Sequence, residues 1–171
     1  MIIEAVFEEL DVKKGVFSQL NDIAKEGAVL ASNTSYLDID KIASATDRVG
    51  DVIGLHFFSP ANIMRLLEIV VPTNVKDDVV ATGFQLAKIL KKVPVRAGNC
   101  DGFIGNRVLE NYAKAANYMM EDGTSPYDID KAIVEFGYPM GPFQMFDLAG
   151  GDIGWADRKR KAAFRSNEER Y

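Results

Sequence analysis

Residues 52–72 read VIGLHFFSPANIMRLLEIVVP, two apolar runs separated by a short stretch that contains Ser, Pro and Asn. The runs at 52–58 and 65–71 have the length and the Val, Ile, Leu and Phe content of buried β-strands. The residues between them favour a turn. The stretch therefore predicts two neighbouring strands, with the chain's only histidine, His56, in the first and Glu68 in the second.

The alternation of strand-like and helical segments continues on both sides of this stretch. Further strand-like runs occupy residues 2–7, 28–32 and 93–97. Apolar residues recur at helical spacing in residues 10–26 and 75–92. Strands that alternate with helices imply βαβ connections, so we expect a mainly parallel sheet.

The character of the chain changes near residue 100. Residues 97–102, AGNCDG, form a turn-rich break, and residues 103–123 then have the pattern of a helix. A second helix is predicted from Ser125, a plausible N-cap followed by Pro126 at the first helical position, to Gly137 at its end. No strand-like run follows the break, so this half is expected to be all helical.

The fold class that follows is α/β and then all-α, in two domains at residues 1–99 and 100–171. The chain is 47% hydrophobic and 26% charged, as is typical of a globular protein. Its 20 basic and 25 acidic residues leave a formal net charge of -5. This balance argues against a surface that binds nucleic acid.

Cysteine content and hydropathy bear on the compartment. Cys100 is the only cysteine, so neither a disulfide nor a cysteine-based metal site can form within one chain, and we predict no metal site. No apolar run reaches membrane-spanning length, and the amino terminus lacks the layout of a signal peptide. Because the chain opens directly in a predicted strand, we expect it to be a piece of a longer protein.

His56 and Glu68 are the first candidates for chemistry. Ligand crevices form at the carboxyl ends of strands in open α/β sheets, and His56 lies near such an end. A carboxylate on the neighbouring strand would hold the imidazole in one tautomer and raise its basicity. The alternative is a hydrogen-bonded core histidine with no catalytic role, and spacing alone leaves both interpretations open.

Three further stretches could contact a ligand. In ASNTSYLDI, residues 31–39, Ser35 can face a ligand, form a helix-capping box with Asp38, or do both. Asn106 is either a simple helix-start residue or an amide directed at a ligand. Residues 137–154, which are rich in Gly, Pro and aromatic residues, are interpreted as a packing loop or as a wall for an acyl group.

Taken together, the motifs resemble the L-3-hydroxyacyl-CoA dehydrogenase family over essentially the whole chain. They occur in the family's order and spacing. The matching stretches are IIEAVFEELDVKKGVF, ASNTS, GLHFFSPANIMRLLEIV, GFIGNRVL and GYPMGPFQMFDLAGGDIGWADRKRK. The resemblance implies the second half of a Rossmann-type, mainly parallel sheet that binds NAD, followed by the start of a helical C-terminal domain.

The resemblance also implies a reaction, the NAD-dependent oxidation of L-3-hydroxyacyl-CoA to 3-ketoacyl-CoA in fatty-acid β-oxidation. It implies that His56 accepts the proton of the 3-hydroxyl and that Glu68 orients His56 and stabilises the imidazolium. It implies that Ser35 and Asn106 hydrogen-bond the substrate oxygen. The implied cofactor contacts are Glu8, Lys13, Asn33, Ser35 and Ser59.

Two departures from the family pattern are informative. The motif HFFSP has Ser59 where many family members have Asn, and this form is more like the dehydrogenase part of multifunctional β-oxidation enzymes. Ser59 keeps a hydrogen-bonding group but is shorter. The chain contains no GxGxxG, the glycine-rich turn that cradles a dinucleotide pyrophosphate. We therefore expect this chain alone to bind NAD weakly or not at all.

Two other functions stay open at this point. One is a non-catalytic module that binds an acyl group or a protein partner through an uncovered sheet edge. The other is a related dehydrogenase that acts on a free hydroxy acid. The expected partners are an acyl-CoA thioester and a second copy or further modules of a longer chain, with no nucleic acid and no membrane span. A bacterial cytoplasm or a peroxisome fits these expectations.

Overall fold

The computed structural model describes residues 1–164 and 166, except for the side chains of Asp152 and Ile153. The chain divides after Ile104 into two compact units. The first unit is α/β and the second is helical, so the predicted fold class is confirmed. Within the described part of the chain, no helix has both the length and the apolar character needed to cross a membrane.

One sheet in the order β1-β2-β3-β4-β5 forms the centre of the first unit. Its strands are β1 Ile2–Glu4, β2 Leu30–Ser32, β3 Val52–Phe57, β4 Leu66–Val71 and β5 Val93–Gly98. Neighbouring strands are parallel except β3 and β4, which are antiparallel. A parallel crossover takes about a dozen residues or more, so the short connection from β3 to β4 returns the chain antiparallel. The prediction of a mainly parallel sheet is confirmed.

Helices cover both faces of this sheet. They are α1 Leu10–Ile23, α2 Ile39–Ala43 and α3 Asp77–Ile89. Side chains of α1 and α2 pack on one face with Leu30 and Val52, and side chains of α3 pack on the other with Ala31 and Ile53. Successive strand residues point to opposite faces, so residues adjacent in sequence belong to different cores. Burying a Val, Leu or Ile side chain contributes about 1.5–3 kcal/mol, so the two cores stabilise the sheet from both faces.

The helix α2 begins at Ile39, and its N-cap is Asp38, whose Oδ1 accepts the N–H of Asp40 at 2.9 Å. Asn99, which follows β5, completes the cap: its Oδ1 accepts the N–H of Ile39 at 3.0 Å. The capping box suggested for Ser35 and Asp38 is therefore wrong, because Ser35 lies three residues before the cap. The cap of α2 thus comes from Asp38 itself and from the distant amide of Asn99.

The second unit consists, in its described residues, of four helices. They are α4 Gly105–Glu121, α5 Pro126–Phe136, α6 Pro142–Ala149 and α7 Gly151–Ala162. The bounds of α5 agree with the prediction, since Ser125 takes the N-cap position, Pro126 begins the helix and Gly137 ends it with a left-handed φ of 118°. Glycine suits that position because it adopts positive φ without steric cost.

The interpretation of residues 137–154 as a loop is wrong, because they contain α6 and the beginning of α7. The buried carboxylate of Asp130 in α5 accepts the N–H of Phe143 at 2.9 Å and that of Gln144 at 3.0 Å. These first-turn donors have no partner within their own helix, so Asp130 stabilises its start. A Cβ at Gly141 would lie 2.3 Å from the Asp130 Cα, so the contact requires glycine.

Candidate active site

His56 and Glu68 are directly opposite each other across the antiparallel pair β3 and β4. Paired residues in such a ladder extend their side chains from the same face of the sheet. The distance from His56 Nδ1 to Glu68 Oε2 is 2.7 Å, a short hydrogen bond. The histidine is 3% exposed and the glutamate 0% exposed. The sheet register thus produces the buried histidine–carboxylate pair that the sequence suggested.

The second oxygen of the Glu68 carboxylate is also bound. Glu68 Oε1 accepts the backbone N–H of Ile104 at 2.9 Å. A buried carboxylate is stable only when its oxygens have hydrogen-bonding partners, and here each oxygen has one. Because Nδ1 of His56 is committed to Glu68, Nε2 is the ring nitrogen that can exchange a proton with a ligand.

Two aromatic rings hold the imidazole plane. The centroid of the His56 ring lies 4.4 Å from that of Phe58 and 5.6 Å from that of Phe103, both in tilted arrangements. Phe103 is 1% exposed and has a left-handed backbone with φ of 47°, which is rare for a residue with a side chain. This conformation precedes the Ile104 N–H that binds Glu68. Sequence reasoning missed Phe103; the only signal was its place after the turn AGNCDG.

A second polar group lies at the carboxyl ends of β1 and β2, and we call Glu4, Glu8 and Lys13 the buried charge cluster. Lys13 is 1% exposed, and its Nζ lies 2.9 Å from Glu4 Oε2 and 3.6 Å from Glu8 Oε2. Glu4 also accepts the hydroxyl of Ser32 and, at 3.0 Å, the N–H of Val6. Sequence reasoning proposed Glu8 and Lys13 as cofactor contacts but missed Glu4, whose position in a strand gave no sign of a partner.

Ser35 lies in a turn that Glu8 holds. One oxygen of Glu8, Oε1, accepts the Thr34 hydroxyl at 2.5 Å and the N–H groups of Ser35 and Tyr36 at 2.7 and 3.1 Å. Asn33 joins the ends of β2 and β3, because its Oδ1 accepts the N–H of Phe57 at 2.8 Å. The two residues of ASNTS that were predicted to contact a ligand, Asn33 and Ser35, are therefore fixed by hydrogen bonds at the carboxyl ends of the strands.

The two remaining predicted residues occupy simpler positions. Ser59 is exposed, in the connection that follows β3. Asn106 is the second residue of α4 and belongs to the second unit. Among the described residues, no group of three His, Cys, Asp or Glu side chains could hold a metal ion. The geometry thus offers one imidazole for proton transfer and, near it in the sheet, a set of amide, hydroxyl and carboxylate groups.

Comparisons with known families agree with this geometry. Residues 1–100 match the model for "3-hydroxyacyl-CoA dehydrogenase, NAD binding domain", and residues 102–171 match "3-hydroxyacyl-CoA dehydrogenase, C-terminal domain". The chain belongs to the 3-hydroxyacyl-CoA dehydrogenase family. The predicted family and the predicted cofactor, NAD, are both confirmed by these matches.

Two similar curated proteins are named as bifunctional or multifunctional. The peroxisomal bifunctional enzyme of Homo sapiens is 49% identical over 159 residues, which are 93% of this chain and 22% of that protein. A glyoxysomal fatty acid beta-oxidation multifunctional protein of Brassica napus is 45% identical over 156 residues, which are 91% of this chain and 22% of that protein. The chain therefore spans about a fifth of the length of these relatives.

Two solved structures share the fold. FadB2 of M. tuberculosis has a TM-score of 0.88 and 36% identity, over 96% of this chain and 60% of that one. The dehydrogenase part of multifunctional enzyme 1 from C. elegans has a TM-score of 0.63 and 33% identity, over 94% of this chain and 37% of that one. The predicted likeness to the dehydrogenase part of multifunctional enzymes is confirmed.

The described residues fit one end of the NAD that this dehydrogenase family uses. Half-buried Glu8, Asn33 and Ser35 offer the carboxylate, amide and hydroxyl groups that suit a ribose and a carboxamide. The ammonium of Lys13 is already neutralised by two carboxylates, so from this position it presents no free charge to a phosphate. The residues present thus fit the nicotinamide and its ribose, and the sequence contains no GxGxxG turn for the pyrophosphate.

Proposed function

We propose that this chain provides the reaction centre for the NAD-dependent oxidation of L-3-hydroxyacyl-CoA to 3-ketoacyl-CoA in fatty-acid β-oxidation. The observation that carries the proposal is the buried pair of His56 and Glu68, joined at 2.7 Å between Nδ1 and Oε2. NAD, when bound, supplies the acceptor for the hydride that leaves C3 of the substrate. The chain's own residues then have to remove one proton and keep the reacting oxygen in place.

His56 is the general base in this proposal. Its Nε2 takes the proton of the 3-hydroxyl as the C3–H bond breaks and the C3–O bond becomes a carbonyl. The imidazolium that results is buried, and an unpaired buried cation would cost several kcal/mol. Glu68 offsets that cost, because its carboxylate accepts the Nδ1–H and is itself held by the Ile104 N–H. The pair is therefore built to carry a positive charge during the reaction.

The other proposed site residues position the reactants. Ser35, on the turn held by Glu8, is proposed to hydrogen-bond the substrate oxygen, and Asn33 and Ser59 to contact the cofactor. Asn106 is proposed as a substrate contact on the family resemblance alone. Hydrogen bonds of this kind accelerate a reaction only when they are stronger in the transition state than in the ground state. Their loss should therefore lower kcat as well as binding.

The first test of this proposal is an assay of the complete natural protein. NADH formation should depend on an L-3-hydroxyacyl-CoA thioester, and the free 3-hydroxy acid should be a poor substrate. His56→Gln should abolish oxidation while circular dichroism shows an intact fold. Undiminished turnover by this variant would remove His56 from the reaction, and equal turnover of the free acid would favour the hydroxy-acid alternative.

The interaction module is a second candidate, because β1 is an edge strand of the sheet and Phe7 beyond it is 83% exposed. Exposed edges and apolar side chains favour association. Concentration-dependent oligomerisation of the complete protein with no nicotinamide reduction would support this candidate over the enzyme.

We further propose a peroxisomal location, since the two curated relatives described above are peroxisomal and glyoxysomal. Fluorescence microscopy of the tagged complete protein tests this location.

A further inference from the structure

The chain that leaves β5 makes a tight turn over residues 99–104, which we call the β5 turn. Within it, the N–H of Phe103 donates to the Cys100 carbonyl at 3.0 Å, and the Phe103 backbone is left-handed. The next N–H, that of Ile104, donates to Glu68 Oε1 at 2.9 Å. The β5 turn therefore ends in a backbone donor that binds the Glu68 carboxylate.

The first residue of the β5 turn, Asn99, is fixed by its side chain. Its Nδ2 donates to Asp38 Oδ1 at 2.6 Å and to Asp40 Oδ2 at 2.8 Å, and its Oδ1 accepts the Ile39 N–H at 3.0 Å. Hydrogen bonds to a carboxylate are stronger than those between neutral groups. Asp40 also accepts the N–H and the hydroxyl of Thr73, which follows β4, at 2.9 and 3.0 Å. The Asn99 amide thus ties the β5 turn to the start of α2 and, through Asp40, to the end of β4.

The β5 turn is consequently held at both of its ends, by the Asn99 side chain and by the Ile104 N–H. A left-handed backbone in a residue with a side chain persists only where the surrounding structure fixes it. Phe103 is such a residue, and the centroid of its ring lies 5.6 Å from that of His56. A β5 turn released at Asn99 would therefore displace both the donor to Glu68 and the ring beside the imidazole.

We propose that Asn99 is a positioning residue that fixes the β5 turn and thereby the N–H that aligns Glu68 with His56. The inference rests on the proposed function, in which His56 is the general base and Glu68 compensates its charge. A buried carboxylate oxygen that loses its donor carries a desolvation cost, which turning toward another donor would relieve. Such a turn would move Oε2 away from His56 Nδ1, so the β5 turn keeps the two side chains in line.

The loss of the Asn99 side chain should change kcat more than it changes binding. A displacement of about 1 Å far from the reacting atoms can cost on the order of 10²-fold in rate. The interaction of Glu68 with His56 strengthens as the imidazolium forms, so its misalignment acts on the transition state. We expect Asn99→Ala to lower kcat by about 10-fold, with the KM values for NAD and for the thioester changed by less than about 3-fold.

The experiment uses two Asn99 variants of the complete natural protein. Asn99→Ala removes all three hydrogen bonds of the side chain. Asn99→Asp keeps an oxygen for the Ile39 N–H, but it replaces the two donors with an oxygen that the carboxylates of Asp38 and Asp40 repel. Because α2 keeps this acceptor at its start, Asn99→Asp also tests the proposal if the alanine variant does not fold.

Thr46→Ala is the matched control for a loss of stability that leaves the β5 turn intact. Thr46 is buried in the first unit, where its hydroxyl donates to the Ala43 carbonyl at 3.0 Å and accepts the Arg48 N–H at 3.3 Å. We expect Thr46→Ala to lower the urea midpoint and to leave kcat and both KM values at their wild-type levels.

Hydrogen–deuterium exchange of peptides that cover residues 99–104 reports on the β5 turn independently of activity. We expect faster exchange there in both Asn99 variants and wild-type exchange in Thr46→Ala. Wild-type exchange in the Asn99 variants would overturn the proposal. If the wild-type protein oxidised no hydroxyacyl-CoA while exchange responded as expected, the dehydrogenase assignment would fail and the holding of the β5 turn would stand.

A double-mutant cycle tests whether Asn99 acts through Glu68. In the Glu68→Gln background the charge that Asn99 aligns is already absent, so Asn99→Ala should lower kcat by less than about 2-fold instead of about 10-fold. The same factor in both backgrounds would show that Asn99 and Glu68 act independently, and the proposal would then be wrong. A rise in the KM for NAD with kcat unaffected would contradict it as well.

Discussion

His56 and Glu68 face each other in register across β3 and β4, with Nδ1 of the histidine 2.7 Å from Oε2 of the glutamate. The antiparallel return of the chain after β3 is what creates this pairing, because it places two residues 12 positions apart at the same level of the sheet. Both side chains are buried, and the carboxylate is fixed from its other side by the Ile104 N–H. The Glu68 carboxylate therefore has one protein partner on each oxygen, the His56 ring and the Ile104 N–H.

Glu68→Gln should lower kcat for hydroxyacyl-CoA oxidation by about 10²–10⁴-fold, the range that positioned acid–base groups contribute. Glutamine keeps an oxygen for the Ile104 N–H but no longer neutralises an imidazolium. The KM for the thioester should change little, because the lost interaction strengthens only as charge develops. Steady-state kinetics on the complete protein measure this, with exposed Glu9→Gln as the control. A kcat equal to that of the control would show that the carboxylate has no part in the reaction.

Phe103 should respond differently to glycine and to alanine. Either substitution removes a buried aromatic ring and should cost about 3–5 kcal/mol of the free energy of unfolding. Glycine also relieves the left-handed backbone, whose φ is 47°, and this strain costs a residue with a Cβ about 1–2 kcal/mol. Phe103→Gly should therefore be the more stable variant, although glycine elsewhere is usually the less stable one.

Urea unfolding measures the difference between these two Phe103 variants. Ala116→Gly in the interior of α4 is the matched control, since glycine should destabilise there. A Phe103→Ala protein as stable as Phe103→Gly would mean that the backbone carries no strain at this position.

Asp51 should contribute an acid-sensitive part of the stability. Burial raises the pKa of its carboxyl, but hydrogen bonds from Lys76 and Arg48 outweigh burial and hold the pKa below its usual value of 3.8. A carboxyl with a lowered folded-state pKa stabilises the protein above the unfolded-state pKa, and this stabilisation is lost as the pH falls through the folded-state value.

The stability difference between wild type and Asp51→Asn should therefore be largest near neutral pH and should shrink below about pH 4. Urea midpoints measured as a function of pH test this. Asp47→Asn, at an exposed position, serves as the control and should show no such trend. A difference between wild type and Asp51→Asn that stays constant with pH would mean that the two ion pairs contribute nothing to folding.

Gly141→Ala should destabilise the helical unit. An added Cβ would lie 2.3 Å from the Asp130 Cα and 2.2 Å from its Oδ1, so α5 and α6 would have to separate and the first turn of α6 would lose its buried acceptor. We expect a loss of about 2–4 kcal/mol, the sum of overpacking and an unmet donor. Gly151→Ala is the control, since nothing lies within 4 Å of its added Cβ. Equal melting temperatures for the two variants would contradict the close contact.

Much of the fold followed from local patterns. The apolar runs of β3 and β4 and the Pro126 and Gly137 bounds of α5 depend on residues that are close in sequence. The burial of Lys13 did not follow, because a lysine among apolar helix positions is usually solvated. Its burial is tolerable because the carboxylates of Glu4 and Glu8 compensate its charge. The helix α6 was missed for a related reason, since its start depends on a carboxylate of α5.

The sequence by itself determined the order of the five strands and of α1, α3, α4 and α5, the change from α/β to all-α and the identity of the one histidine available for catalysis. These features arise from periodicity and residue type, which act over a few positions. Tertiary structure decided the register that pairs His56 with Glu68, the left-handed turn at Phe103 and the buried charge cluster behind Ser35. All three features depend on contacts between residues that are distant in sequence; for Phe103 the contact is that of the adjacent Ile104 N–H with Glu68. Such contacts form only when the folded sheet and its packed helices bring the partners within hydrogen-bonding distance.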